Sequence, residues 1–238
     1  MKSTKGCSYC NHTSCVSKVP IFSSLDERDA RDIAALIEHK NYKKGDILIN
    51  EGDKVNSITI INTGSVKAYK YTPDGREQIL YVLTEGDFFG ERSLLSSENA
   101  DFYIEALDDV GVCVITKERF HSLLYTHPDI AINIIDELGK RIATMENAFQ
   151  SISVRNLDAR IAALLLDYAN RYGIMTKDGV KINLPISREG MANQLGIARE
   201  TMSRKLSQLE KKGIILSENN KTLIIYNMDM LDEMAGIK

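Results

Sequence analysis

The chain has 238 residues, 43% hydrophobic and 26% charged, an ordinary globular composition long enough to bury two modest cores. No apolar run approaches the roughly 20 residues that a bilayer span needs, and no apolar stretch follows the N-terminal lysines as a signal peptide requires; a cytoplasmic protein without membrane contact is expected. The net charge of −3 is uneven, with 13 Lys/Arg against 10 Asp/Glu in residues 155–238 and 17 against 23 in residues 1–154, so the two parts face different partners.

In chain order, the first feature is a cysteine-rich arm. Cys7, Cys10 and Cys15 form a C-x2-C-x4-C cluster, and Cys113 is the fourth and last cysteine. In a reducing compartment such a cluster serves metal binding or redox chemistry more often than a disulfide framework. The next stretch, SSLDERDARDIAALIEH, predicts a short amphipathic helix: Ser24 and Glu27 have capping-box spacing, and Leu25, Ile33, Leu36 and Ile37 form an apolar stripe. From Tyr42 to about Thr116 the pattern turns to short β-branched and aromatic runs (ILIN, SITIINT, SVKAYKY, QILYVL, YIEAL, GVCVIT) punctuated by glycines at turn spacing. An antiparallel sandwich or jelly roll is expected.

Helical periodicity returns in HPDIAINIIDELGKRIATMENAFQSIS, where Leu138, Ile142, Met145, Phe149 and Ile152 recur at steps of four, three, four and three. That spacing fits a coiled-coil dimer seam and equally one core face of an ordinary helix. The last segment predicts a helix, a strand (VKINLPI), two further helices around Gly196, and a hairpin at Asn219-Asn220. Three helices and a hairpin in this length suggest a winged helix.

Within it, SREGMANQLGIARETMSRKLSQLEKKGII has helix-turn-helix form. Ser187 is placed to cap the first helix and Gly196 to make the turn. On the second helix Met202, Leu206 and Leu209 share one face, leaving Arg199, Glu200, Ser203, Arg204 and Ser207 outward. The outward types suit a DNA groove: arginine offers a fork to guanine, glutamate accepts from cytosine, and serine bonds bases or phosphate. From Arg188 to Lys212 there are six positive and three negative residues, favouring a polyanion. An amphipathic surface helix with internally paired charges remains the plainer alternative for that helix taken alone.

The order of jelly roll, long helix and winged helix, with ARETMSRKLSQLEKKGII in the recognition position, resembles the CRP/FNR family of bacterial transcription regulators over nearly the whole chain. KKGDILINEGD, GSVKAYKYTPDGREQIL and EGDFFGERSLL match the family's sensor domain. The resemblance implies an α+β architecture with a cysteine-rich arm at 1–20, a cyclic-nucleotide-binding-type jelly-roll sensor at 21–124, a dimerisation helix at 125–153 and a winged helix-turn-helix at 154–238. It implies a homodimer, seamed by Leu138, Ile142, Met145, Phe149 and Ile152, that binds palindromic double-stranded DNA with TTGA-type half-sites. Arg199, Glu200, Ser203 and Arg204 would read those half-sites, and RNA polymerase would be a partner. Glu200, Ser203 and Arg204 match the E-x-x-S-R pattern of the FNR branch, whereas Arg199 is a feature of the CRP branch.

For the signal, the CRP branch binds cyclic AMP through a Gly-Glu pair and an Arg-Ser or Arg-Thr pair. Gly90-Glu91 is present, but Ala100-Asp101 stands at the phosphate position, where a carboxylate repels an anion. Cyclic AMP is therefore not expected. The FNR branch holds an oxygen-labile 4Fe-4S iron-sulfur cluster on three arm cysteines and a fourth in the sensor domain. Cys7, Cys10, Cys15 and Cys113 match those positions, with the second spacing one residue shorter than usual. Zinc, or no metal and a dithiol-disulfide switch, stays open, as does a small-molecule effector without metal. No P-loop, nucleophile elbow or HExxH motif is present, and His12, His39, His121 and His127 are scattered, so no enzyme is expected.

Overall fold

The computed structural model describes residues 19–22, 25–26, 28–29, 33, 36–91, 99–154 and 156–236; along part of the long helix after 140 it describes the backbone alone. The chain divides into two compact units, one of residues to 70 with 80–142, the other of 71–79 with 143 to the end.

The first unit is a jelly roll of two four-stranded antiparallel sheets. One has the order β1 (Glu38–Tyr42), β8 (Val110–Thr116), β3 (Ser57–Thr63), β6 (Phe88–Phe89). The other has the order β2 (Ile47–Ile49), β7 (Tyr103–Ala106), β4 (Ser65–Tyr71), β5 (Glu77–Thr84). Alternation along β3 and β8 sends side chains to opposite faces of the first sheet. Ile61, Val112 and Val114 meet Val66, Ala68 and Ile104 between the sheets, while Ile58, Ile60, Cys113 and Ile115 line the outer face. That outer face is covered by Phe120 and Leu123 of α1 (Lys117–Thr126), by Ile130 and Ile134 of α2 (Pro128–Val154), and by Val19, Ile21 and Phe22 of a 3-10 turn (Pro20–Phe22). Each fully buried Ile or Phe contributes about 1.5–3 kcal/mol, so this second core anchors the turn firmly.

Two local features bear on the helix expected after the arm. Asp26 takes a capping role, its Oδ1 accepting from the amides of Arg28 and Asp29 at 2.8 Å each; Ser24 and Glu27 lie outside the described residues. These amide bonds, chiefly that of Asp29, hold the Asp26 carboxyl below its usual pKa. The expected helix also stops short of Glu38 and His39, which form β1 instead, because pairing with β8 over Glu38↔Val114 to Tyr42↔Val110 outweighs local helical preference.

In the second unit, α3 (Leu157–Tyr172) leads to a sheet of order β11 (Ile215–Ser217), β12 (Thr222–Ile225), β10 (Gly179–Asn183), β9 (Gly173–Thr176). Helices α4 (Arg188–Leu195) and α5 (Arg199–Lys211) lie between β10 and β11 in sequence, and α6 (Met228–Ala235) closes the fold. The winged-helix expectation holds; β9 and α6 are additional.

Candidate nucleic-acid interface and cysteine site

Ser187 caps α4, its Oγ accepting from the Gly190 amide at 3.2 Å. At the other end Gly196 adopts φ 66°, ψ 37°, a left-handed conformation that L side chains rarely take, and Ile197 N donates to Ala192 O at 3.0 Å. Two bonds from α3 fix the end of α4: Arg160 Nη2 donates to Leu195 O at 2.6 Å, and Tyr168 Oη to Gln194 Oε1 at 2.6 Å. Burial of Tyr168 pushes its hydroxyl pKa well above the usual value, so it stays a neutral donor.

Helix α5 then turns Met202, Leu206 and Leu209 inward, all buried, as the 3.6-residue period requires. Arg199, Glu200, Arg204 and Ser207 are exposed and Ser203 is half-buried. Lys205 is taken out of this set by an ion pair with Asp158 at 2.6 Å. Ala198 at the N-cap makes no side-chain cap bond, so the first-turn amides of α5 are presented to an anion. Glu210 Oε1 accepts from Ser217 N at 3.0 Å, tying the end of α5 to the β11–β12 hairpin, whose turn exposes Asn219, Asn220 and Lys221. The sequence marks Asn219-Asn220 as the hairpin but not as part of an interface, and it does not mark the uncapped start of α5.

The residues that the family resemblance sets at a nucleotide site include Gly90, Ala100 and Asp101. Gly90 has φ +96°, and a Cβ there would lie 2.3 Å from Ser57 O, so the backbone path alone requires glycine. Asp101 Oδ2 accepts from Lys70 Nζ at 2.9 Å. Tyr81 packs edge-on against Phe102, centroids 6.0 Å apart, and both join the inter-sheet core with Ala100. Lys67, buried on β4, pairs with Glu105 at 3.2 Å and lies over the Tyr69 ring at 4.6 Å.

Cys113 is 1% exposed on the outer face of the first sheet. Its register partners are His39 on β1 and Ile60 on β3, and its Sγ lies 3.6 Å from His39 Nδ1. Cys7, Cys10 and Cys15 lie outside the described residues, and among the described residues no group of three or more His, Cys, Asp or Glu could hold a metal. On α2, Ile132, Ile135 and Ile142 are exposed and Leu138 is half-buried against the outer-face core. Of Met145, Phe149 and Ile152 the described structure gives the helical backbone only. No helix among the described residues is long and apolar enough to cross a membrane.

Residues 39–127 match the cyclic nucleotide-binding domain family, and residues 159–234 the Crp-like helix-turn-helix domain family. The chain is 31% identical over 190 residues to the cAMP-activated global transcriptional regulator CRP of Pasteurella multocida, covering 79% of this chain and 89% of that one. It is 28% identical over 233 residues to the fumarate and nitrate reduction regulatory protein of Escherichia coli, covering 97% and 92%. A solved structure of a CooA mutant from Carboxydothermus hydrogenoformans shares the fold, with TM-score 0.75 and 22% identity over 86% of this chain and 90% of that one.

Proposed function

The chain belongs to the CRP/FNR family of DNA-binding transcription regulators, which are not enzymes, and from that premise we propose that its DNA affinity follows the redox or oxygen state of a site made by Cys7, Cys10, Cys15 and Cys113. The observation that carries this reading is the burial of Val19, Ile21 and Phe22 in the same apolar core as Cys113. Cys15 precedes Val19 by four residues, a span of at most about 14 Å. The arm is therefore leashed to the face that bears Cys113. Its other two cysteines have longer tethers, long enough to reach the same face.

The donor set fits the group: four thiolates suit an iron-sulfur cluster, and an apolar surround shields one from water. A 4Fe-4S cluster bound there would supply an oxygen-labile linkage between arm and sensor. The chain's own part is to carry the state of the arm inward. Asn133 Nδ2 on α2 donates to Ile21 O at 3.3 Å, and Ile130 and Ile134 pack in the same core, so the turn that follows the arm rests on α2. On that helix Ile132, Ile135 and Ile142 form an exposed stripe; together with Leu138, Met145, Phe149 and Ile152 they form the seam of the homodimer. Arg199, Glu200, Ser203 and Arg204 of each protomer then read the half-sites of a TTGA-type palindrome, about one helical turn apart. The functional division is an arm at 1–20, a sensor at 21–124, a dimer helix at 125–153 and a DNA-binding domain at 154–238, with RNA polymerase as the downstream partner.

Cyclic AMP is not the signal in this reading. Asp101, which the family resemblance sets at the phosphate position, is bonded to Lys70, and Tyr81 packs on Phe102 in the neighbouring core. The near-complete burial of Cys113 favours a second reading, in which the arm cysteines act without it as a dithiol-disulfide pair or a zinc site.

Iron, sulfide and zinc content with a visible spectrum, on protein purified without air, separates the readings. About four irons and four sulfides per chain with a broad band at about 400 nm are expected; zinc, or no metal, favours the second. Independently, Arg204→Ala is expected to weaken specific DNA binding by roughly 10–100-fold without loss of folding, the cost of one bidentate base contact. Unchanged affinity would remove Arg204 from the interface.

A further inference from the structure

Among the described residues, His39 lies beside a cysteine, with Nδ1 3.6 Å from Cys113 Sγ. The two are direct register partners, so their side chains share a face. On the other side of Cys113 lies buried Ile60, on β3. β1 is the edge strand of the sheet, and His39 is half-buried there. The order across this face is thus the edge strand, an imidazole, the sulfur, and then buried apolar core. Among the described residues of the sheet, His39 is the neighbour of Cys113 on the edge side.

We propose that His39 is a positioning residue for Cys113, holding the sulfur toward the β1 edge and donating its Nδ1–H to it when the sulfur is a ligand; this rests on the four-cysteine reading above. A thiolate has no proton of its own and accepts a hydrogen bond, which requires the Nδ1–H tautomer of a neutral imidazole. A free thiol can reverse the roles and donate to Nδ1. One contact therefore serves both states of the sulfur, and neither requires an added charge in the apolar core. Hydrogen bonds to ligating sulfurs set how firmly a cluster is held and at what potential it changes state.

The test compares the native full chain with His39→Leu, which removes the donor, and His39→Asn, whose amide places a nitrogen near the position of Nδ1. Each is prepared without air, checked for folding by its thermal midpoint, and exposed to air while the band at about 400 nm is followed. The half-time should shorten roughly tenfold in His39→Leu, the lower end of what losing such a supporting bond costs a metal site. It should return most of the way to native in His39→Asn, a rescue that mere filling of space would not give. Equal half-times in all three overturn the role of His39 and leave the four-cysteine reading standing. If the native protein carries no iron, the cluster itself fails and the same three proteins are compared by the labelling rate of Cys113 with iodoacetamide. A several-fold difference for His39→Leu alone then keeps the positioning role, and equal rates overturn it.

Discussion

The two faces of the sheet β1-β8-β3-β6 carry similar apolar residues and serve different ends. The inner face meets the second sheet, and its partners there, Val66, Ala68 and Ile104 with Phe102 and Tyr81 in the same core, belong to the same jelly roll. Among the described residues, the outer face meets segments from elsewhere in the chain: the turn after the cysteine arm, Ile33, α1, and the start of the long helix α2. An inner-face change alters how well one domain is packed. A change on the outer face also alters how the turn after the arm and α2 sit on that domain. The fold is that of a cyclic nucleotide-binding domain, and in the proposed function the signal runs through its outer face.

Paired substitutions sharpen that contrast most. Phe22→Ala on the outer face should cost about 3–5 kcal/mol and Ile104→Ala on the inner face about 2–5 kcal/mol, both read by urea unfolding. Only Phe22→Ala should also weaken the response of DNA binding to air, because only it loosens the leash on Cys15. Equal effects of the two on that response would break the distinction between faces. Next in size is Asn133→Ala, which removes the bond to Ile21 O. It should cost about 1 kcal/mol of stability and reduce the change in DNA affinity on air exposure; a full response would show that the contact carries no signal. The smallest effect should come from rebuilding the phosphate site as Ala100→Arg with Asp101→Ser. The Lys70–Asp101 pair is partly exposed, 41% and 46%, so its loss should cost under about 1 kcal/mol. Cyclic AMP should still give no calorimetric signal, since Tyr81 and Phe102 remain in place. Micromolar binding would show that Asp101 alone had closed the site.

The DNA-binding end was legible because its determinants are local. The stripe of Met202, Leu206 and Leu209, the cap at Ser187 and the turn at Gly196 each lie within one or two helical turns, and the structure has all of them. The strands of the jelly roll were legible for the same reason wherever β-branched residues cluster. β1 was not: EHKNY has no β-branched residue, and its extended form comes from pairing with the distant strand β8, from Glu38↔Val114 to Tyr42↔Val110. The contact of His39 with Cys113 was hidden with it. β9 was missed because its four residues are all exposed and show no alternation. For α6 a signal existed, Asn227 as cap with Leu231 and Ala235 four apart, and went unused. Spacing along α2 indicated a helix with an apolar face but could not say which side turns inward. The outer-face core decides it by taking Ile130, Ile134 and part of Leu138, leaving Ile132, Ile135 and Ile142 outside.

The most direct measurement is the affinity of the native protein and of Cys113→Ser for a TTGAT-N4-ATCAA duplex, each prepared without air and measured before and after air exposure at one salt concentration. If the outer face is the sensing face, native affinity changes by roughly tenfold or more, about 1.4 kcal/mol, and Cys113→Ser gives one value under both conditions. A native protein indifferent to air, or a Cys113→Ser variant that responds as fully as the native one, would contradict it.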